Sequence, residues 1–243
     1  GVGLRDTGDL GGSLLVGYRK CKYNGVNIVT RRKLMNFVKE QYLQIGKFLK
    51  SKILWIFITL ALVFVGFSVL LYFVLLGHQE AVEALFKAFT EAILSKDILN
   101  ADGSIASGSL FFNNLQATTI SILLGFMPFL FLPVWVVLIN AASLSVVFAM
   151  VKMTGAASVG KMIVFGILPH GIFELTALFL GISLGFYICK TLCLIVCKSD
   201  SGIRLKEELI NVLRTYLLII VPLLIIAALI ESYLTPLLIN FAI

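Results

Sequence analysis

The chain alternates long apolar runs with short polar segments. Residues 53–76 contain no charged side chain, and neither do residues 103–151. Further largely apolar runs cover residues 162–196 and 216–234. A helix needs about 20 apolar residues to cross the hydrocarbon core of a bilayer. The pattern therefore predicts an all-α fold, a polytopic transmembrane helical bundle of about five spans, two of which lie between residues 115 and 151.

Amphipathic stretches flank the first predicted span. Residues 30–52 place apolar side chains at helical spacing among basic ones, which indicates a basic amphipathic helix on the cytoplasmic leaflet. A helix of a small cytosolic cap is the alternative. Beyond the span, residues 81–94 form a second amphipathic helix, predicted to lie at the outer membrane interface within an extracytoplasmic segment of residues 78–112. Its polar stripe consists of Glu83, Lys87, Thr90 and Glu91.

This pattern divides the chain into three parts. Residues 1–29 are predicted to be a poorly structured, glycine-containing segment. Because the sequence lacks an initiating Met, this segment is expected to be processed, truncated or introduced by cloning. Residues 30–52 form the cytoplasmic helix. Residues 53–243 form the transmembrane domain, which includes the extracytoplasmic segment.

Composition and charge agree with a membrane protein and set its orientation. The chain is 59% hydrophobic and 14% charged, with a mean hydropathy of +1.01, which is too apolar for a soluble domain. Residues 1–52 hold eleven Lys and Arg against three acids, whereas residues 78–112 hold two against five. Basic flanks stay cytoplasmic, so we expect a multi-pass protein of the cell membrane with a cytoplasmic N-terminus. The net charge of +7 is thereby accounted for without nucleic-acid binding.

Ionisable residues within the fourth apolar run mark a candidate site. Charged groups in hydrocarbon are costly and usually face a bundle interior, so His170 and Glu174 are the first candidates for function. Pro169 precedes them and removes a helical hydrogen bond, which predicts one proline-broken span. We expect Pro169, His170, Gly171 and Glu174 to form an intramembrane polar site. A structural hydrogen bond and a proton or substrate site are equally compatible with this pattern.

Small residues share the helix face of Glu174. At 100° per residue, Ala177, Gly181 and Gly185 fall within about 60° of it. Small residues at four-residue spacing let a second helix approach closely. The sequence therefore predicts a helix-packing groove beside the polar site.

Asparagines at membrane depth are the other candidates for the polar site. Asn113 and Asn114 open the second predicted span, and Asn140 lies in the third. Helix capping and interhelical hydrogen bonding are the simpler explanations, and a ligand site is the alternative.

No motif in the sequence indicates catalysis or a bound cofactor. The histidines, cysteines and acids lack metal-ligand spacing, and no phosphate loop or hydrolase elbow occurs. Cys189, Cys193 and Cys197 recur every fourth residue, but thiols in an apolar helix usually serve as small packing residues. We therefore expect no enzyme activity, no catalytic residue, no metal site and no cofactor.

These residues resemble a known family. The resemblance rests on Phe112-Asn113-Asn114, Gly125, Pro128, Asn140 and above all on the stretch from Leu168 to Leu175, which holds Pro-His-Gly-x-x-Glu and is followed by Gly181 and Gly185. Together they resemble the stage II sporulation protein M family of integral membrane proteins. Asn140 is followed by Ala141 where the family pattern leads us to expect Gly. In sporulating bacteria, membership implies a role in membrane engulfment, in which the protein recruits peptidoglycan-cleaving enzymes.

Two functions are consistent with these features. The first is a membrane scaffold for sporulation that engages membrane lipids and cell-wall-remodelling proteins, with Glu83, Lys87, Thr90 and Glu91 as the docking residues. The second is a membrane transporter or channel subunit that uses His170 and Glu174. The oligomeric state stays open, a homo-oligomer included.

Overall fold

A computed structural model shows that the described residues are helical apart from short connections. It describes residues 31–94, 107–198, 202 and 204–239, and no strand occurs among them. The predicted all-α membrane bundle is confirmed. The prediction for residues 1–29 lies outside the described residues, as does the loop in the middle of segment 78–112.

The chain divides into two compact units, Gly1–Lys47 and Phe48–Ile243. In the first unit, residues 31–47 are helical and form α1. Leu34, Met35 and Phe37 on this helix are 61%, 67% and 58% exposed. Residues 31–40 are all exposed, polar and apolar alike, so the position of α1 on the membrane surface stays a prediction.

Among the described residues, four helices are long and apolar enough to cross a membrane. The first of these contains α2 (Leu54–Leu75), which a π-helical turn at Leu49–Ile53 precedes. The next is α5 (Pro133–Thr154). The third runs without interruption over Val159–Val196 and the fourth over Leu205–Leu238.

The last two of these long helices contain several segments. The third consists of α6 (Val159–Lys161), a π-helical segment (Met162–Ile167) and α7 (Leu168–Val196). The fourth is built from α8 (Leu205–Thr215), a π turn (Tyr216–Ile220), α9 (Val221–Leu229), a π turn (Ile230–Leu234) and α10 (Thr235–Ile239). Helical conformation therefore continues through residues 53–75, 162–196 and 216–234, whereas the run of residues 103–151 is interrupted by a turn at residues 127–132.

One of the five predicted spans, the second along the chain, is shorter than expected. It corresponds to α4 (Ser107–Leu123), of 17 residues, which a 3-10 turn at Leu124–Phe126 extends. Six residues of this helix are Asn, Gln, Thr or Ser within its last eleven positions: Asn113, Asn114, Gln116, Thr118, Thr119 and Ser121. Thr118 and Ser121 donate to carbonyls four residues back, so their hydroxyls are satisfied inside the helix. Its shorter length and its polar side chains thus distinguish α4 from the four longer apolar helices.

Helix α7 lies at the centre of the second unit. In its most apolar 18-residue stretch 61% of the residues are buried, against 22–33% in the other three candidate spans. It packs against α2, α4, α5 and α9. Lipid tails are as apolar as leucine, so close packing rather than hydrophobic burial has to hold these helices together. The most buried contacts are made by Ile182, Leu184 and Ile188.

Contacts along α7 set the directions of its neighbours. The rings of Phe48 and Phe64 lie 5.5 Å from Tyr187 and 5.1 Å from Phe179, respectively, so α2 runs antiparallel to α7. On the other side, Thr118 faces Gly181. Because Asn114, four residues earlier, reaches Glu174, α4 runs parallel to α7.

Interhelical hydrogen bonds join α2 to α5. The Ser68 hydroxyl donates to the carbonyl of Ala141 at 3.3 Å, and the Ser145 hydroxyl shares its proton between the carbonyl of Ser68 at 2.9 Å and that of Ala141 at 2.7 Å. Both serines are buried. These two bonds tie the backbones of the helices together where water does not compete for the donors.

Pro169 does not break its helix. Its ring removes one backbone donor and would clash with the carbonyl of residue 165 in a regular α-helix. The π-helical segment Met162–Ile167 lies immediately before it, and α7 begins at Leu168 with the proline in its first turn. A π turn shifts the hydrogen-bond pattern by one residue and so accommodates the ring. The span predicted to be broken is therefore continuous.

The turn between α4 and α5 is held against α7. Phe129 and Phe131 have left-handed backbones, with φ of 69° and 47°. The backbone N–H of Phe129 donates to the Cys193 sulfur at 3.1 Å, and the Cys189 thiol donates to the carbonyl of Met127 at 3.4 Å. Contacts of this kind stabilise an otherwise unfavourable backbone conformation. Cys189 and Cys193, the two cysteines within α7, therefore help to hold this turn in place.

Candidate functional site

The polar site brings together three ionisable side chains from two spans. His170 and Glu174 lie one turn apart on α7, and Glu231 comes from the π turn Ile230–Leu234. One potential ligand atom from each of the three lies within 4.8 Å of the others. We call these three residues the polar cluster. It lies roughly 13 Å of helix away from Lys161, and the residues between Lys161 and Leu168 are apolar.

Hydrogen bonds orient the side chains of the polar cluster. His170 Nδ1 lies 3.1 Å from Thr235 Oγ1, and the Thr235 hydroxyl donates to the carbonyl of Ile230 at 3.4 Å. Either atom of the His170–Thr235 pair can be the donor, and in the tautomer in which Nδ1–H donates to Thr235, Nε2 carries no proton and faces Glu231. The side-chain amide of Asn114 donates to the Glu174 carboxyl. Helices α4, α7 and α10 thus all contribute.

Charge in the polar cluster is not balanced by ordinary ion pairing. His170 Nε2 and Glu231 Oε2 are 3.7 Å apart, and their side chains are only 13% and 19% exposed. Glu174 brings a second carboxyl close to Glu231. Two carboxylates in a poorly hydrated place repel each other unless a proton or a cation lies between them. The arrangement is therefore suited to hold a positive charge.

Ser232, the residue after Glu231, has a polar group that the described residues leave unsatisfied. Its hydroxyl oxygen is buried and has no hydrogen-bond partner among the described residues. Leaving such a group unsatisfied costs about 1–3 kcal/mol. Ser232 adjoins Glu231 in the same π turn, and π turns within α-helices are frequent at functional sites.

Glu231 and Thr235 were not among the predicted site residues. They lie more than 50 positions from Glu174, and no local pattern states which face of the last span meets α7. A carboxyl group within an apolar run was nonetheless a usable signal, because such groups usually pair inside a bundle. What the sequence did not reveal is which residues of α7 the Glu231 carboxyl group meets.

The other predicted members of the polar site have separate roles. Asn140 donates from Nδ2 to the carbonyl of Val136 at 2.8 Å, a bond within its own helix. Gly171 is buried, and an added Cβ would come within 3.1 Å of Ile167. Asn113 is half-buried one position before Asn114. Of the three asparagines, Asn114 is the one placed at the polar cluster.

The predicted groove lies where α4 meets α7. Side-chain atoms added at Gly181 would collide with Thr118, and those added at Gly185 would collide with the carbonyl of Ser121. A Cβ on Gly125 would in turn meet the backbone of Gly185. Ala177 is fully buried beside them. The two backbones therefore approach each other more closely than any larger residue would allow.

The four residues predicted to dock a partner lie on α3 (Gln79–Leu94). Glu83, Lys87 and Glu91 are exposed. Thr90 is half-buried, and its hydroxyl donates to the carbonyl of Phe86 at 2.9 Å. The apolar side of the helix, centred on the fully buried Val82, packs against the ends of α2 and α5. Protein therefore covers Val82, whereas Leu85 on the same side is 49% exposed.

Fold and site together define a multi-pass helical membrane protein with an intramembrane polar cluster. The sequence model of stage II sporulation protein M matches residues 56–236, about three quarters of the chain. The chain belongs to the stage II sporulation protein M family. The match includes α3, the groove and all of the polar cluster. No curated protein and no solved structure matches the chain.

Proposed function

We propose that the protein is a non-enzymatic membrane scaffold in sporulation, which recruits peptidoglycan-cleaving enzymes through α3. The observation that carries this proposal is the asymmetric burial of that helix. Val82 is completely buried against α2 and α5, whereas Glu83, Lys87 and Glu91 are exposed. A charged stripe on a helix that is fixed from behind presents its groups in one orientation, which is what a docking surface requires.

Sidedness supports this role for α3. Basic residues before α2 favour a cytoplasmic position for α1, and α2 then carries the chain across the membrane. α3 follows after a short turn and therefore lies on the outer side, where cell-wall enzymes act. The exposed acids Glu80, Glu83 and Glu91 outnumber Lys87 on this stripe. We accordingly expect the partner to present a basic surface.

Charge reversal on α3 tests the scaffold proposal. Glu83→Lys combined with Glu91→Lys is expected to reduce capture of the cell-wall enzymes from native membranes at least tenfold, because like charges then face each other. Both side chains are exposed, so membrane insertion and thermal stability are expected to stay unchanged. The measurement is affinity purification of the full-length protein with mass spectrometry of the captured proteins.

A matched control separates the α3 stripe from net charge. Glu40→Lys combined with Glu207→Lys changes the charge by the same amount at two other exposed acids, and capture is expected to persist. If the α3 double variant inserts correctly and still captures the same enzymes, α3 is not the docking surface.

A further inference from the structure

We propose that the polar cluster binds one divalent first-row transition-metal ion inside the bundle. The ligands are His170 Nε2 and one carboxylate oxygen each from Glu174 and Glu231. The proposal does not depend on the scaffold role. The sequence suggested no metal site because the third ligand lies in another span.

The distances in the polar cluster fit a metal ion after small side-chain movements. Ligand atoms about 2.1 Å from a tetrahedral ion lie about 3.4 Å from each other. His170 Nε2 and Glu231 Oε2 are 3.7 Å apart, and all three ligand atoms are within 4.8 Å of one another. Rotations about the side-chain bonds of the two glutamates can bring the ligand atoms to the spacing of about 3.4 Å without a movement of either helix backbone.

Outer partners hold two of the three ligands in a binding orientation. His170 Nδ1 lies 3.1 Å from Thr235 Oγ1, and the tautomer in which Nδ1–H donates to Thr235 leaves an unprotonated Nε2 that faces Glu231 and is available to an ion. The Asn114 amide donates to the Glu174 carboxyl. Metal-binding histidines and carboxylates are usually oriented by such hydrogen bonds, which also fix the histidine tautomer. A histidine paired only with a carboxylate would not need the Thr235 contact.

Charge favours a divalent cation as the occupant. Two carboxylates and a neutral imidazole have a net charge of −2, which a divalent ion neutralises inside the low-dielectric bundle. The buried Ser232 hydroxyl, without a partner among the described residues, adjoins Glu231. One imidazole beside two carboxylates favours ions such as Zn²⁺ over Mg²⁺ or Ca²⁺, which prefer oxygen ligands alone. An ion held in this way would join α7 to the last span.

Metal titration of the purified full-length protein tests the site. After removal of metals with a chelator and its washout, the protein in lipid nanodiscs is expected to bind one equivalent of Zn²⁺, and Zn²⁺ is expected to raise its unfolding temperature. Co²⁺ as a probe is expected to give visible d–d absorption. His170→Ala, Glu174→Gln and Glu231→Gln are each expected to lose this equivalent. Thr235→Val keeps the ligands and is expected to weaken affinity roughly 10- to 100-fold.

Controls make each outcome decisive. His78→Ala removes the other histidine of the chain, which is exposed and whose imidazole contacts the carbonyl of Val74. This variant is expected to keep the bound ion. Combined Ser substitutions of Cys189, Cys193 and Cys197 are also expected to keep it. Absence of a stoichiometric ion from the wild type overturns the proposal, even if a variant fails to fold. So does an unchanged Co²⁺ spectrum in any folded variant that lacks one of the three ligands.

Discussion

Replacing Gly185 by leucine is expected to destabilise the bundle by about 3 kcal/mol or more, at the upper end of the cost of overpacking a core. An added side chain at this position meets the carbonyl of Ser121, and the ring of Pro133 lies within 3.1 Å of the new Cβ. A backbone carbonyl cannot rotate away as a side chain can, so α4 and α7 would have to separate. The measurement is thermal unfolding of the purified protein in detergent.

Gly66→Leu is the matched control for this prediction. Gly66 lies in α2, and a Cβ added there meets nothing within 4 Å. The same substitution is therefore expected to change stability by no more than about 0.5 kcal/mol, the usual range for an open position. Equal destabilisation at Gly66 and Gly185 would argue against a close contact between α4 and α7.

Replacing Glu174 by leucine is expected to cost about 1–3 kcal/mol of stability, because it leaves the Asn114 amide in the bundle interior without its partner. Glu174→Gln keeps an oxygen that accepts from Asn114. Without added metal it is expected to retain most of the wild-type stability. Thermal unfolding of both variants in the presence of a chelator measures the difference.

The glutamine variant also distinguishes the two functional hypotheses. The scaffold proposal places partner binding on α3, so Glu174→Gln is expected to capture partners normally. If this variant folds with wild-type stability but no longer supports function in cells, the polar cluster is the functional centre. That result would favour the transporter or channel hypothesis.

Local features of the sequence predicted the helices and one of their contacts. Charge-free runs such as residues 53–76 are long enough to cross a bilayer, and length alone indicates a span. Gly181 and Gly185 indicated a close approach, since their spacing places them on one helix face. Helix α3 was predicted from its polar stripe. All of these depend on residues close together in the chain.

Contacts between distant segments could not be predicted in the same way. Glu231 joins His170 only because the last span packs antiparallel to α7 with a particular rotation, and no local pattern sets that rotation. The effect of Pro169 was also missed, because a helix can either break at a proline or absorb it in a π turn.

A double-mutant cycle between His170 and Glu231 most directly tests whether the polar cluster joins two spans. Stability is measured for His170→Ala, Glu231→Ala and the double variant, all with a chelator present. Because the two side chains lie 3.7 Å apart, the double variant is expected to lose at least about 1 kcal/mol less than the sum of the single losses. The exposed His78→Ala, combined with Glu231→Ala, provides the additive reference. Additivity within about 0.5 kcal/mol for His170 and Glu231 would contradict the polar cluster.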